Sequence, residues 1–359
     1  MPDSRSISAA FPGRPVPADL AVFDVALDPE GPVFSAGPDE SVLDAALRQG
    51  VPLPYGCRNG ACGACRARIL DGKVHFPDEA ELRGLTERET RAGWTLLCQA
   101  RASSDLRIAS LAEGAGPAVR TLPARVASRT RLAHDVMELR LELPPTERLQ
   151  YRAGQYVDIL LRDGRRRAFS LANCPADDAH LVLHIRHVPG GAFSGQVFET
   201  LGERALLRLQ GPLGSFHLRT DSDRPAVFLA GGTGFAPIKA IIENALLAPL
   251  RREMHLYWGV RTERDLYLPD LPREWANAHS RLHFVPVLSE PDPGWTGRTG
   301  LVHEAILADF PDLAGHEVYA SGPPPMVSAA REIFPELGLD LEHLHFDSFD
   351  YAYETGHDG

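Results

Sequence analysis

The sequence predicts a multidomain chain of mixed α+β and α/β class: a small sheet carrying one helix, an antiparallel β-barrel or sandwich, and a parallel sheet covered by helices. Three observations carry that reading. A chain of 359 residues has room for two or three hydrophobic cores. Short β-like runs with frequent turn signals fill residues 122–220, and beyond Pro225 strands alternate with helical patterns. At 44% hydrophobic and 24% charged, the composition is that of a globular protein, and no apolar run is long enough to span a membrane. The net charge of −11 argues against nucleic acid, whose backbone needs a basic surface, but it suits docking on a basic protein.

Residues 1–20, with Ser, Arg and four Pro, read as a flexible extension, and residues 350–359 as a loosely held tail. The first unit is expected over 21–113. Alternation in Leu20-Ala21-Val22-Phe23-Asp24-Val25-Ala26 marks a strand, and Val33-Phe34-Ser35 after the Gly31-Pro32 turn is its hairpin partner. The periodicity from Ser41 to Gln49 is helical, with Gly50 placed to stop it. Arg66-Ala67-Arg68-Ile69-Leu70, turned by Asp71-Gly72, reads as a second hairpin.

Inside this unit lie four cysteines, Cys57, Cys62, Cys65 and Cys98, spaced C-x4-C-x2-C and then 32 residues to the last. That is the ligand spacing of a plant-type [2Fe–2S] cluster. Gly56, Gly60 and Gly63 let the loop wrap a cluster and aim N–H groups at its sulfurs, while Cys98 arrives on the separate Trp94–Gln99 strand. Disulfides suit small secreted domains rather than a chain with five cysteines and no export signal. Structural zinc favours two short pairs, and a Rieske centre requires C-x-H. The fifth cysteine, Cys174, reads as a small buried residue. These features place the protein in a reducing cytoplasm.

Ala112-Glu113-Gly114-Ala115-Gly116-Pro117 opens a linker over 114–121, and Asp221-Ser222-Asp223-Arg224-Pro225 marks the boundary between a 122–220 unit and a 221–349 unit. In the first of these, Arg167-Ala168-Phe169-Ser170-Leu171 offers a phosphate-binding guanidinium, a stacking ring and a hydroxyl, although the same run is also an ordinary strand with alternating faces. Gly190-Gly191-Ala192-Phe193-Ser194 precedes a helical stretch and supplies a phosphate-binding helix start. In the second, Ala226–Ala230 runs into Gly231-Gly232-Thr233-Gly234-Phe235-Ala236-Pro237 and then a helix. Strand, glycine turn and helix can cradle a pyrophosphate, though the spacing is not G-x-G-x-x-G and such a turn can be structural. Tyr319-Ala320-Ser321-Gly322-Pro323-Pro324 repeats the arrangement. His343 and His345 read as same-side strand residues rather than a ligand pair.

Taken in order, these motifs resemble the ferredoxin–NAD(P)H reductase fusion family: a β-grasp, plant-type ferredoxin domain, an FAD barrel, then a nicotinamide domain. The family includes reductases of aromatic-ring oxygenases and phenol hydroxylases, and the CDP-6-deoxy-glucoseen reductase of deoxysugar synthesis. The resemblance implies that Arg167, Phe169, Ser170 and Leu171 form its R-x-Y-S flavin motif, with Phe for the usual Tyr. It places His187 and Val188 beside the adenine half of FAD and Gly191 and Ser194 at its pyrophosphate. Gly232, Thr233, Gly234 and Pro237 match its dinucleotide loop, and Gly322 and Pro323 its hydride-transfer turn, where Ser321 replaces the usual Cys. Phe349 matches the terminal aromatic that shields the flavin.

What the resemblance implies for function is a hydride from NADH to FAD, then single electrons through the cluster to a partner oxygenase or hydroxylase. Arg58, Asn59 and Ala61 are the expected partner-facing surface. NADPH is possible, because Arg261 and Arg264 could hold a 2′-phosphate whereas Glu263 favours NADH. The alternative acceptor is a deoxysugar dehydrase. A minor alternative is a redox-sensing module without turnover, for which Ser321 is the sole feature.

Overall fold

The computed structural model describes residues 22–55, 58–80, 82–110 and 117–349. The predicted extension, Cys57 and the tail lie outside them. The first unit contains β1 (Phe23–Asp28), β2 (Val33–Ala36), α1 (Val42–Arg48), β3 (Arg66–Asp71), β4 (Val74–His75), α2 (Glu87–Arg91), β5 (Trp94–Leu96), β6 (Arg101–Ala102) and β7 (Leu106–Ser110). Its main sheet runs β2-β1-β7-β3-β5, with β1 and β7 parallel. Ser41 caps α1 by accepting from the Asp44 N–H at 3.0 Å, and Gly50 at φ +75° lies just past its end. Val42, Leu43, Ala45 and Ala46 turn the helix's apolar face onto the sheet.

The expected hairpin after β3 does not form as drawn. Gly72 turns the chain, but β4 leaves to pair with β6 in a small separate sheet, and β3 pairs with β5 and β7 instead. A Cβ on Gly72 would lie 2.1 Å from the Asp105 carbonyl oxygen, so the turn is set by a neighbour over thirty positions away.

The second unit holds β8 (Arg120–Arg131), β9 (Val136–Glu142), β10 (Tyr156–Leu160), β11 (Arg166–Ser170), β12 (Leu181–Arg186), α3 (Ala192–Glu199) and β13 (Leu206–Leu213). Its order is β11-β10-β13-β8-β9-β12, antiparallel throughout, and a bridge from Leu171 to Leu183 brings the two edges together. The third unit holds β14 (Ala226–Gly231), α4 (Phe235–Ala245), β15 (Met254–Val260), α5 (Asp270–Ala278), β16 (Leu282–Leu288), β17 (Arg298–Thr299), α6 (Val302–Asp309), β18 (Glu317–Gly322), α7 (Pro324–Ile333) and β19 (Leu344–Ser348). All six strands are parallel in the order β17-β16-β15-β14-β18-β19. The strand order reverses at β14, so a ligand crevice is expected beyond the carboxyl ends of β14 and β18.

Barrel and parallel-sheet unit share one core, in which Val136, Ala153 and Phe216 pack with Phe228, Phe235 and Tyr319. The terminal strand is anchored by a buried ion pair. Arg252 meets Glu317 at 2.6 Å, and His345 of β19 lies 3.3 Å from the same carboxylate, with His343 at 3.9 Å. Burial opposes ionisation of Glu317, but the bonds from His345 and Arg252 outweigh it and hold its carboxyl at about 2. Glu317→Gln is therefore expected to cost about 3–5 kcal/mol at neutral pH. The native contribution is complete above the ordinary carboxylate range and is lost as pH falls from there toward 2. Denaturant unfolding across that range should show an acid-labile component in the native chain and not in the variant; equal acid sensitivity would contradict the anchor.

Candidate functional site

Cys62 and Cys65 sit in a loop whose backbone depends on positive φ at Arg58 (+61°), Gly60 (+83°) and Gly63 (+71°). Cys98 follows β5 in a turn tied to that loop by the Leu97 N–H donating to the Cys65 carbonyl at 3.1 Å. The Ala64 N–H points at the Cys62 sulfur at 3.5 Å, and the Gln99 side-chain amide at the Cys98 sulfur at 3.7 Å. Contact with Cys98 and then burial push the Cys65 thiol well above its usual range. Thiols gathered this way ionise only when a cation replaces their protons, which is the demand iron would meet. The donor set and the N–H···S contacts fit a [2Fe–2S] cluster. Cys174 stands apart, buried, with its thiol 3.4 Å from Asn244 Oδ1.

One expectation about the loop fails. Arg58 and Asn59 are exposed, but Ala61 is only 8% exposed and belongs to the buried side. That side is pressed onto β19. A Cβ on Gly63 would lie 2.7 Å from the Phe346 ring and 3.0 Å from the Gly84 carbonyl.

On the barrel, β11 brings Phe169 to a half-buried position 5.4 Å from the Phe193 ring. Ser170 is buried, and its hydroxyl donates to Asp347 Oδ2 of β19 at 3.2 Å. Burial raises the Asp347 carboxyl to about 6, with the Ser170 bond pulling the other way. Arg167 is half-buried and donates to the Arg166 carbonyl at 2.9 Å, while the Leu171 side chain is fully buried in the barrel core. The His187 ring packs 5.0 Å from Phe198. The Val188 N–H donates to Ser194 Oγ at 3.1 Å. Gly191 caps α3 with no side-chain acceptor, and a Cβ there would fall 2.5 Å from Ser194 Oγ. The first N–H groups of α3 thus open onto a cradle that only glycine leaves clear, as a pyrophosphate needs.

Beyond β14, Gly232 (φ +53°) and Gly234 shape the turn into α4. A Cβ on Gly234 would meet the Ser321 carbonyl oxygen at 2.0 Å, and one on Gly322 would meet the Gly231 backbone at 2.9 Å. The two strand ends touch backbone to backbone, which fits a dinucleotide crossing them. Thr233 and Pro237 are buried in the turn and the first turn of α4, and Trp258 donates to the Gly232 carbonyl at 2.9 Å. Pro323 caps α7 without a side-chain bond. Ser321 is fully buried, its hydroxyl without a hydrogen-bond partner. Phe349 is half-buried, its N–H on the Gly322 carbonyl at 2.9 Å, whereas Arg261 lies exposed past β15.

Sequence reasoning missed Asp347, Phe346 and Arg186. Arg186 sits at the end of β12, 3.1 Å from Asp135 and 2.8 Å from where a Cβ on Gly232 would stand. No spacing links any of these to the motifs they touch. At the opposite ends of β15 and β16 the fold also gathers Glu253, His255 and His283, with His283 bonded to Glu253 at 2.9 Å.

Family models match in the predicted order. A 2Fe-2S iron-sulfur cluster binding domain covers 25–103, an oxidoreductase FAD-binding domain 123–218, and an oxidoreductase NAD-binding domain 228–332. The chain is 40% identical over 328 residues to the CDP-6-deoxy-L-threo-D-glycero-4-hexulose-3-dehydrase reductase of Yersinia pestis, covering 91% of this chain and 98% of that one. It is 36% identical over 329 residues to reductase component 2 of terephthalate 1,2-dioxygenase from a Comamonas species, covering 90% and 96%. Among solved structures it resembles an Amycolatopsis cytochrome P450 reductase, with a TM-score of 0.70, 36% identity and coverage of 91% and 98%. The chain belongs to the ferredoxin–NAD(P)H reductase fusion family, NAD(P)H-dependent iron–sulfur flavoproteins with a [2Fe–2S] ferredoxin domain, an FAD barrel and a nicotinamide domain in series.

Proposed function

We propose that this chain is the cytoplasmic reductase of a multicomponent system, oxidising NADH and handing single electrons to a separate oxygenase or hydroxylase. The observation that carries this is the meeting of three units at β19: Asp347 on the barrel's Ser170, and Phe346 on the cluster loop's Gly63. When bound, FAD would accept one hydride, two electrons, from the nicotinamide, and the cluster would supply one-electron transfer onward. The oxygenase reading draws on the Comamonas relative and the Amycolatopsis structure. A second reading, delivery to a deoxysugar dehydrase, draws on the 40% identity to the Yersinia pestis reductase across nearly its whole length.

In this reading Arg167 and the α3 start hold flavin phosphates, Phe169 and Phe349 cover the ring, and the Val188–Ser194 turn fixes the cradle. Gly232, Thr233, Gly234 and Pro237 receive the nicotinamide dinucleotide, with Gly322 and Pro323 leaving its ring a path to the flavin. Arg261, exposed past β15, faces the adenosine end. The Cys57, Cys62, Cys65 and Cys98 thiolates hold the cluster, with Arg58 and Asn59 outermost toward the partner. Ser170 holds its proton on Oγ, directed at Asp347 Oδ2, and can turn it toward a ring nitrogen.

Steady-state kinetics should give NADH the higher kcat/KM; a clear advantage for NADPH would overturn the dinucleotide assignment. Substantial NADH-driven ferricyanide reduction is expected, and its absence would favour the non-turnover reading. Purified candidate acceptors, an oxygenase and a deoxysugar dehydrase, decide between the two partner readings by which one the reduced protein reoxidises.

The Ser170–Asp347 pair makes a separate claim. Asp347 sits near 6, above its ordinary value, so its anion is lost as pH drops through that point. The rate of flavin reduction by NADH is expected to titrate there, and Asp347→Asn to abolish the titration. Ser170→Ala should slow the same step by about tenfold, the worth of one well-placed hydrogen bond. Stopped-flow reduction at several pH values checks both, and an unchanged pH profile in the Asn variant would remove Asp347 from the step.

A further inference from the structure

The ferredoxin unit is attached differently from the other two. Among the described residues, the apolar cluster built by residues 23–108 contains no member from the barrel or the parallel-sheet unit, while those two share a core. Apart from Gly63 against the Phe346 ring, the contacts that cross from the ferredoxin unit are mostly polar. At its centre Glu89 of α2, fully buried, accepts from Arg66, which directly follows Cys65, and from Arg331 of α7 in the nicotinamide unit. The two arginines are only 2% and 4% exposed. Arg66 also donates to the Leu344 carbonyl of β19 at 2.9 Å, and Arg331 to the Gly84 carbonyl at 2.8 Å. Both guanidinium groups lie over the Phe346 ring, Arg66 at 4.6 Å and Arg331 at 4.3 Å from its centroid. Thr86 fixes Glu89 from below, its N–H donating at 2.8 Å.

A buried charged triad is weak evidence for stability, because desolvation offsets most of the attraction, and its best-attested use is to fix one arrangement among several. Here the arrangement fixed is the seating of the cluster loop, since Gly63 lies against the ring that the triad grips. Other crossing contacts among the described residues are thinner: Arg68 with Glu342 at the exposed rim, Arg88 to the Pro335 carbonyl at 3.3 Å, Gly214 to the Tyr55 carbonyl at 3.2 Å, and Ser215 to the Ala64 carbonyl at 3.5 Å.

We propose that Arg66, Glu89 and Arg331, closed around Phe346, form a latch that seats the cluster loop on the terminal strand, and that they are positioning residues for electron passage from flavin to cluster but not for hydride transfer. The inference rests on the flavin and cluster reading given above. Each NADH supplies two electrons; they leave the reduced flavin singly, each reducing one oxidised cluster, and an external acceptor reoxidises the cluster. No bond is made or broken in the step assigned to the latch.

Arg331→Met is the decisive variant, because it leaves the Arg66–Glu89 pair whole inside the ferredoxin unit; Glu89→Gln is the stronger disruption and Arg331→Lys the conservative control. The holoprotein is assayed for ferricyanide reduction, which draws on the flavin, and cytochrome c reduction, which draws on the cluster. Visible circular dichroism reports the intact cluster, and hydrogen exchange of 58–66 and 82–91 reports the docking without reference to activity. Expected for Arg331→Met are an unchanged ferricyanide rate, a native cluster spectrum, faster exchange in both segments, and cytochrome c reduction lower by about 10- to 100-fold. Arg331→Lys should recover part of that loss. The latch is overturned if the cytochrome c to ferricyanide ratio stays native, whether or not exchange quickens, or if both rates fall together. It is equally overturned if the cluster is lost, since the triad would then support the fold of the cluster site and not its placement. A native chain that fails to reduce ferricyanide defeats the functional reading itself, and so is a distinguishable failure.

Discussion

The parallel ladder between β18 and β19 determines where the three units of the chain meet. Val318 to Gly322 pairs in register with Leu344 to Ser348, and this alternation sends consecutive β19 residues to different neighbours. His345 returns to the Glu317 anchor within the same sheet. Phe346 meets the cluster loop, and Asp347 meets the barrel's Ser170. A slip of one residue would reverse every one of these assignments, exchanging an aromatic contact for a carboxylate. The ion pair at the amino end of β18 thus has a consequence at the far end of the strand, since it holds the register on which the junction depends.

The interfaces around that junction differ in kind. Barrel and nicotinamide unit join through aromatic and aliphatic packing, which is non-directional and gives one continuous core. The ferredoxin unit joins through hydrogen bonds and charge, which are directional and costly to leave unpaired. The first kind suits two units that must hold one crevice. The second suits a loop that has to sit at one distance from its donor while the rest of its surface stays available to another protein.

What was legible in the sequence was local. The Cys62-x2-Cys65 loop, the strand–glycine–helix turn at Gly232 and the Gly191–Ser194 step each encode their structure within about ten residues, so pattern and physics coincide. The failures share a different origin. Asp71-Gly72 turns as a hairpin should, but which strand follows is decided by Asp105. Ala61 reads as a loop residue and is buried in a loop whose Gly60 carbonyl accepts from the distant Gly84 N–H at 2.7 Å. Arg66 reads as the first residue of a strand, and only β19, 278 residues on, supplies its second acceptor, the Leu344 carbonyl, while Arg331 of α7 shares Glu89 with it. Asp347 lies in a terminal strand read only for its aromatic Phe349, until the barrel brings Ser170 to it. Tertiary contact, with no local signature, decides all four.

The loop's two faces also settle how a single small unit serves two neighbours at once. Gly60, Ala61 and Gly63 form the buried face, and at Gly63 any side chain would strike Phe346. Arg58 and Asn59 form the exposed face, with Arg58 paired to Asp44 rather than to anything in the other units. Glycine on one side and polar side chains on the other is a division by distance: the inner face is stripped to backbone so that the donor side can approach closely. The outer face keeps a charge that can exchange its exposed ion pair for a partner's at small cost, because such pairs contribute little in water. In the proposed reading electrons enter through the glycine face and leave through the arginine face. An acceptor can then dock while the inner contact remains closed.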